Sequence, residues 1–238
     1  MRTSILLGLF LSFAFTASSL ICQETRVGGV RANIVGIEIP SIANAPFTAK
    51  VLVTWNQPLV GGGSVSRQYY TRVARDSQGR VRRETREFIP GDSNAEPPLR
   101  TFTFLDPVSS TRTVCTKSTM NCATGPFQPR VNLSQDGGAL SDAGSNVSRE
   151  SLGQQTMFGL PVVGTRETVT NSQGSTRVAV SRSDVWYSSD LQMDLSVDRT
   201  NPQLGEVTLK VVELARGEPD PSWFAIPSGY QVVGSRSH

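Results

Sequence analysis

The sequence predicts an all-β protein: an antiparallel sheet, sandwich or open barrel with at most short helical turns. Three observations carry this. Short segments with period-2 alternation recur at roughly ten-residue spacing, Gly- and Pro-rich turns separate them, and no stretch keeps a helical period for three turns. The composition agrees, with 37% hydrophobic residues, 18% charged, 21 Gly and 14 Pro in 238 residues. That is too apolar for a disordered chain and too poor in helix formers for a bundle.

Taken in order, Met1–Ser4 carries Arg2, and Ile5–Phe15 is apolar but for Gly8 and Ser12. Small and polar residues follow at Thr16–Ser19, as in a secretory signal peptide, which is too short to span a membrane as a helix. Residues 1–22 are read as that signal, with cleavage after Ser19 or Cys22. Ile21 directly before Cys22 argues against a lipid anchor there. The chain is therefore expected in the periplasm or cell envelope of a bacterium, with no span after cleavage. Residues 23–46 read as an extended arm that contributes at most one strand. A β-domain is expected over 47–233, with a short tail at 234–238.

Within the domain, Phe47, Ala49, Val51, Val53 and Trp55 alternate with polar neighbours, the mark of a half-buried strand. Pro58 and Gly61–Gly63 turn the chain. Val65–Ala74 and Arg80–Phe88 form a hairpin about Asp76-Ser77-Gln78-Gly79, with Thr71 expected opposite Glu84 and Tyr69 opposite Arg86. Thr101–Leu105 presents Phe102 and Phe104 on one face, and Thr111–Thr116 returns beside it. Gly125–Arg149 is dominated by Gly, Ser, Asn and Asp and is read as a mobile loop. Strands are expected again at 152–158, 162–170, 177–187, 191–197 and 206–214. Asp220-Pro221 then starts one helical turn that plugs Trp223 and Phe224 against the sheet.

Cys115 and Cys122, six residues apart in an exported chain, predict a local disulfide. No His or third Cys is at hand for a tetrahedral metal site, and the C-x-x-C spacing of a redox pair is missing. Closing so short a loop stabilises by about 2–3 kcal/mol on the chain-entropy estimate.

The motifs of catalysis are not found. The one His is His238, in a tail, and there is no G-x-S-x-G, Walker motif or dinucleotide fingerprint. The carboxylate pairs Asp184 with Asp190 and Glu84 with Glu87 fall on strands or turns where solvated charge explains them. Net charge is only +3, so nucleic acid is not the expected partner. No enzyme activity and no cofactor are expected.

The second half, LGQQTMFGLPVVGTRETVT, DVWYSSDLQM and GEVTLKVVELARGEPDPSWFAIPSGYQVV, with RDSQGRVRRETREF in the first, resembles a group of exported bacterial proteins of unassigned function over about residues 47–233. More distantly the same rhythm is similar to periplasmic lipoprotein carriers and sensors of the LolA/LolB/RseB type. That resemblance implies a curved half-barrel with a greasy concave face that takes acyl chains, although a clear N-terminal helix and a helical lid are missing here. Two functions compete. One is an envelope binding or carrier module for an acyl or other amphipathic ligand, with Val51, Val53, Trp55, Phe102, Phe104 and Trp186 as cleft candidates. The other is an interaction protein docking an envelope partner through an Arg/Glu strip of Arg80, Arg82, Arg83, Glu84, Arg86 and Glu87. The rival explanation of the strip is a solvated strand whose charges prevent edge-to-edge pairing.

Overall fold

A computed structural model describes residues 37–128, 145–173, 176–202 and 204–234, with backbone alone at 145–146, 171–173, 176–180 and 234. The signal segment, most of the arm and the 234–238 tail beyond Gly234 lie outside the described residues. Among the described residues thirteen strands build one sheet. They are β1 (Phe47–Pro58), β2 (Ser64–Arg75), β3 (Val81–Arg86), β4 (Ile89–Pro90), β5 (Leu99–Asp106), β6 (Thr111–Thr116) and β7 (Asn121–Pro126), then β8 (Ser145–Met157), β9 (Leu160–Gln173), β10 (Thr176–Ser188), β11 (Met193–Asn201), β12 (Gly205–Arg216) and β13 (Gln231–Gly234).

The sheet is two meanders sewn together. Spatial order is β13-β7-β6-β5-β3-β2-β1-β12-β11-β10-β9-β8, with β4 beside β2. The central seam is the antiparallel pairing of β1 with β12. Among the described residues only β13 runs parallel to its neighbour, β7. The sheet is open and curved, and the curvature has identifiable sources. Register shifts fall between Lys50 and Val51, Trp186 and Tyr187, Ala179 and Ser181, Ser151 and Gly153, and Thr85 and Arg86, and each such irregularity bends and twists its strand.

The alternation along β1 does what its pattern requires. Phe47, Ala49, Val51 and Val53 are buried on one face, and the register carries that face to Val73 of β2, Val81 of β3 and Leu209 of β12. Leu160, Val162, Leu191, Met193, Leu195, Val197 and, from the end of the arm, Ile37 and Ile39 join the same cluster. Residues 37–46 form no strand; they lie as a strap. Arg75 ties this strap down. Its side chain is fully buried and donates to the carbonyls of Pro40 at 3.0 Å, Ala45 at 2.9 Å and Leu191 at 2.8 Å, with its guanidinium 4.9 Å from the Phe47 ring centroid. Burial pulls its pKa down to about 10, so it stays charged at neutral pH.

Two expectations about local structure change. The β2–β3 hairpin is displaced by one residue, with Val73 opposite Arg83 and Arg75 opposite Val81. The cause is a five-residue loop in place of four. Asp76 organises it, its carboxylate accepting from the backbone N–H groups of Gln78 at 3.0 Å and Arg80 at 2.8 Å, while Gly79 takes φ +82°. A one-residue slip moves every side chain to the other face: continued along the strands, this register sets Arg72 against Glu84 and Tyr70 against Arg86. The expected 125–149 loop is also shorter, because β7 runs to Pro126 and β8 begins at Ser145; 129–144 lie outside the described residues.

The disulfide joins Cys115 and Cys122, directly opposite on β6 and β7. The expected helical turn is a 3-10 turn at Pro221–Phe224, capped by the Asp220 carboxylate accepting from Ser222 N–H at 2.8 Å.

Candidate functional site

The register divides the sequence-predicted residues between the two faces. Val51 and Val53 lie in the core at 2% and 0% exposure. Trp55 is half-buried on the same side, its indole N–H donating to the Leu204 carbonyl at 2.8 Å. Phe104 pairs with Arg82, and Phe102 with Glu84, which puts both on the opposite face. There Phe102 packs with Cys115, Cys122, Phe104 and Tyr230 in a second small cluster. The apolar stripe expected across these five residues is therefore split by the sheet. Trp186 is half-buried against the main core, so close over Gly164 that a Cβ there would meet its ring at 2.7 Å.

The Arg/Glu strip is also divided. Arg82, Glu84 and Arg86 share the face of Phe102. Glu84, 6% exposed, accepts from Arg86 at 2.8 Å and lies 3.3 Å from Arg82. Arg86 also donates to Glu96 at 2.9 Å and to the Pro97 carbonyl at 2.8 Å. The Arg82 guanidinium is sandwiched between Phe102 (4.6 Å) and Trp223 of the 3-10 turn (4.9 Å), while Arg80 pairs with Asp76 and lies 5.0 Å from Phe224. Arg83 sits on the core side, where burial lowers its pKa with Tyr69 and Glu38 nearby. Glu87 is exposed. This strip is thus largely an internally paired network beneath the C-terminal plug. Asp184, weighed as half of a catalytic pair, is instead gripped by Arg166 (2.8 Å) and Arg182 (2.7 Å), which hold its carboxyl well below the usual range.

Two crevices flank the β1–β12 seam, the first drawing its lining from both faces of the sheet and the second lying on the plug's face. The first, about 310 Å³, is lined by Met157, Phe158, Leu195, Ser196, Lys210 and Val211. It exists because two strands part. β11 and β12 pair only from Ser196↔Lys210 to Asn201↔Gly205; beyond that point β12 follows β1, and β11 follows β10. The tip of the β8–β9 hairpin hangs over the gap. Met157 pairs with Leu160, so Phe158-Gly159 is a two-residue turn with φ of +52° and +73°, the primed geometry that favours Asn-Gly. A bulky residue in that conformation is an outlier. Leu160 goes into the core, and Phe158 is left 46% exposed at the mouth. The Lys210 ammonium stands on the rim, 3.8 Å from Asp198. The crevice thus offers an apolar wall and one cation, at the lower edge of the size of small-molecule sites.

The second crevice, about 210 Å³, lies between β1–β2 and the 89–97 loop, with Lys50, Leu52, Gln68, Tyr70, Ser93 and Asn94 among its lining. Register connects the two crevices along the row Ser196, Lys210, Leu52, Tyr70. Sequence reasoning left Lys210, Phe158, Lys50 and Tyr70 aside. One signal was present: only three Lys occur in the chain, at 50, 117 and 210, and two of them stand here. Among the described residues no group of His, Cys, Asp or Glu is arranged to hold a metal, and no helix is long and apolar enough to cross a membrane.

No protein-family model matches the chain, and no curated protein matches it in sequence. Among solved structures it is similar to MucB of Pseudomonas aeruginosa in the MucA/MucB complex, at 11% identity and a TM-score of 0.42, over 80% of this chain and 58% of that one. It is also similar to LprF of Mycobacterium bovis (16%, TM-score 0.31, 74% and 90%) and to LppX of Mycobacterium tuberculosis, a lipoprotein (14%, TM-score 0.27, 73% and 87%). The chain spans under two thirds of the MucB chain it matches.

Proposed function

We propose that this chain is an exported binding module of the bacterial cell envelope, not an enzyme, and that it takes an amphipathic ligand with an anionic end. The observation that carries this is the first crevice, where β11 and β12 part. Phe158 and the partly buried Met157 supply apolar surface for a chain above a floor of Leu195 and Val211, and Lys210 supplies a cation at the rim. The left-handed, half-exposed Phe158 supports it further. The fold holds an unfavourable backbone conformation to keep an aromatic ring at the mouth, and such outliers cluster at ligand clamps. An interior binding cleft along Val51 and Val53 is not favoured, because neither lines a crevice, although both share the core cluster of Leu195 and Val211. The charged side chains of the plug's face serve mainly structural pairs, which fits binding better than turnover.

The test is native mass spectrometry of the mature protein purified from envelope, beside the double variant Phe158→Ser with Lys210→Glu. Both side chains are about half exposed, so the variant is expected to fold, with a melting point lowered only slightly by the new like-charge contact with Asp198. The wild type should carry an amphiphile that the variant has lost. A bare wild-type protein, or equal retention by the variant, overturns the proposal.

A further inference from the structure

Lys50 and Arg72 are direct partners across β1 and β2. Two cations facing each other in this way work against the sheet. Both lean over the ring of Tyr70, Lys50 Nζ at 4.5 Å and Arg72 Cζ at 5.4 Å from its centroid, with Arg86 at 5.0 Å. The ring's negative face offsets part of the repulsion. The three cations differ in how fully they are paired. Arg86 is buried and saturated by Glu84, Glu96 and the Pro97 carbonyl. Arg72 is 45% exposed and lies 3.8 Å from Glu96, and Lys50 reaches Glu213 at 3.2 Å, a side chain that is itself 70% exposed. Such surface pairs contribute little and exchange readily.

Beside them lies the 210 Å³ crevice, floored by Leu52 and edged by Gln68, Ser93 and Asn94. It is below the size of small-molecule sites and fits one side chain. We propose that this is a docking site for an extended acidic segment of a partner protein. A carboxylate enters between Lys50 and Arg72, where the Arg fork and the ammonium both donate to it, and the next inward side chain lies over Leu52. Glu213 is then an internal placeholder that the incoming carboxylate displaces. The crevice is edged by Gln68, Ser93 and Asn94, whose side chains can hydrogen-bond a peptide backbone, and this favours a peptide over a lipid headgroup. This site uses none of the crevice residues of the ligand proposal, so either can fail alone.

The test is fluorescence polarisation of a labelled peptide repeating Glu-Ser-Val-Ser, which sets Glu and Val on one face of an extended chain, titrated with the mature protein at low salt. Lys50→Ala and Arg72→Ala should each weaken binding about tenfold, the loss of one charge-assisted hydrogen bond. Glu213→Gln should tighten it, and Lys117→Ala, remote from the crevice, should leave it unchanged. Arg72→Lys keeps the charge without the fork, and a smaller loss is expected; it is the variant to use if Arg72→Ala fails to fold. Absence of peptide binding to wild type overturns the proposal, as does an equal loss in Lys117→Ala or weaker binding in Glu213→Gln. Arg72-dependent binding to phosphatidylglycerol vesicles without peptide binding would assign the site to a lipid headgroup instead.

Discussion

Replacing Arg75 by Met removes a charge from the core while nearly keeping its volume. In the folded chain the guanidinium is fully buried and donates to three carbonyls, two of them in the 37–46 strap and one at Leu191. Charge-assisted hydrogen bonds contribute about 1.5–3 kcal/mol each, so three are worth about 4–9 kcal/mol. Against this stands desolvation: a pKa lowered from 12.5 to about 10 corresponds to about 3 kcal/mol. The difference leaves a net contribution of about 1–6 kcal/mol, and about 3 kcal/mol is the expected loss on substitution, within the range for breaking a buried charged network. For a domain of this size that lowers Tm by about 6–12 °C. Denaturant unfolding of Arg75→Met measures the loss. Hydrogen exchange should also show that the 37–46 backbone has lost protection before β1 does, because the strap is what the clip holds. Arg75→Lys should lose about half as much, since one ammonium cannot reach three separated carbonyls. Unfolding of Arg75→Met within about 0.5 kcal/mol of wild type, with the strap still protected, would refute the clip.

Three further outcomes are expected. Asp194 is largely buried, and desolvation raises its pKa to about 6 despite Arg199. The folded state therefore binds the extra proton between about pH 4 and 6, and stability falls by up to about 3 kcal/mol as pH rises through that window. In Asp194→Asn, urea unfolding should show that slope gone; an unchanged slope would assign it to another group. Reducing the Cys115–Cys122 bond should cost about 2–3 kcal/mol, read from unfolding of the double Ser variant, and alkylation of the untreated protein should label neither cysteine. Phe158→Asn should leave the fold stabilised by about 1 kcal/mol through relief of the left-handed conformation yet weaken amphiphile binding. A variant that is less stable than wild type would show that Phe158 serves packing instead.

The strands were legible because half-burial writes itself as period 2: Phe47 to Trp55 and Thr101 to Leu105 lie where the alternation puts them. The plug was legible from Asp220-Pro221 and the Trp-Phe that follows. What failed was which side chains share a face. The loop at 76–80 differs from a four-residue turn by one residue, fixed by the Asp76 side chain, and that residue alone moved the Arg/Glu strip into an internal network. The face of Phe102 relative to Val51 depends on the summed register of four strands, which no local pattern records. The parting of β11 and β12 arises from bulges, which carry no dependable sequence mark, so the crevice they create was invisible. Arg75 could not be told from the other arginines of an Arg-rich chain. Phe158-Gly159 did carry a signal, a Gly at the second position between two apolar strands, but Phe is not a residue that the left-handed first position of such a turn favours.

The most direct measurement is a methyl NMR titration of the mature protein with dodecanoate below its micelle concentration. Binding in the crevice where β11 and β12 part should move the methyl signals of Met157, Leu195 and Val211 most, in a saturable way, leave those of Val73 and Val81 on β2 and β3 in place, and vanish in the Phe158→Ser, Lys210→Glu variant. Saturable shifts at Val73 and Val81 instead, or no saturable shift anywhere, would contradict an amphiphile site at this crevice.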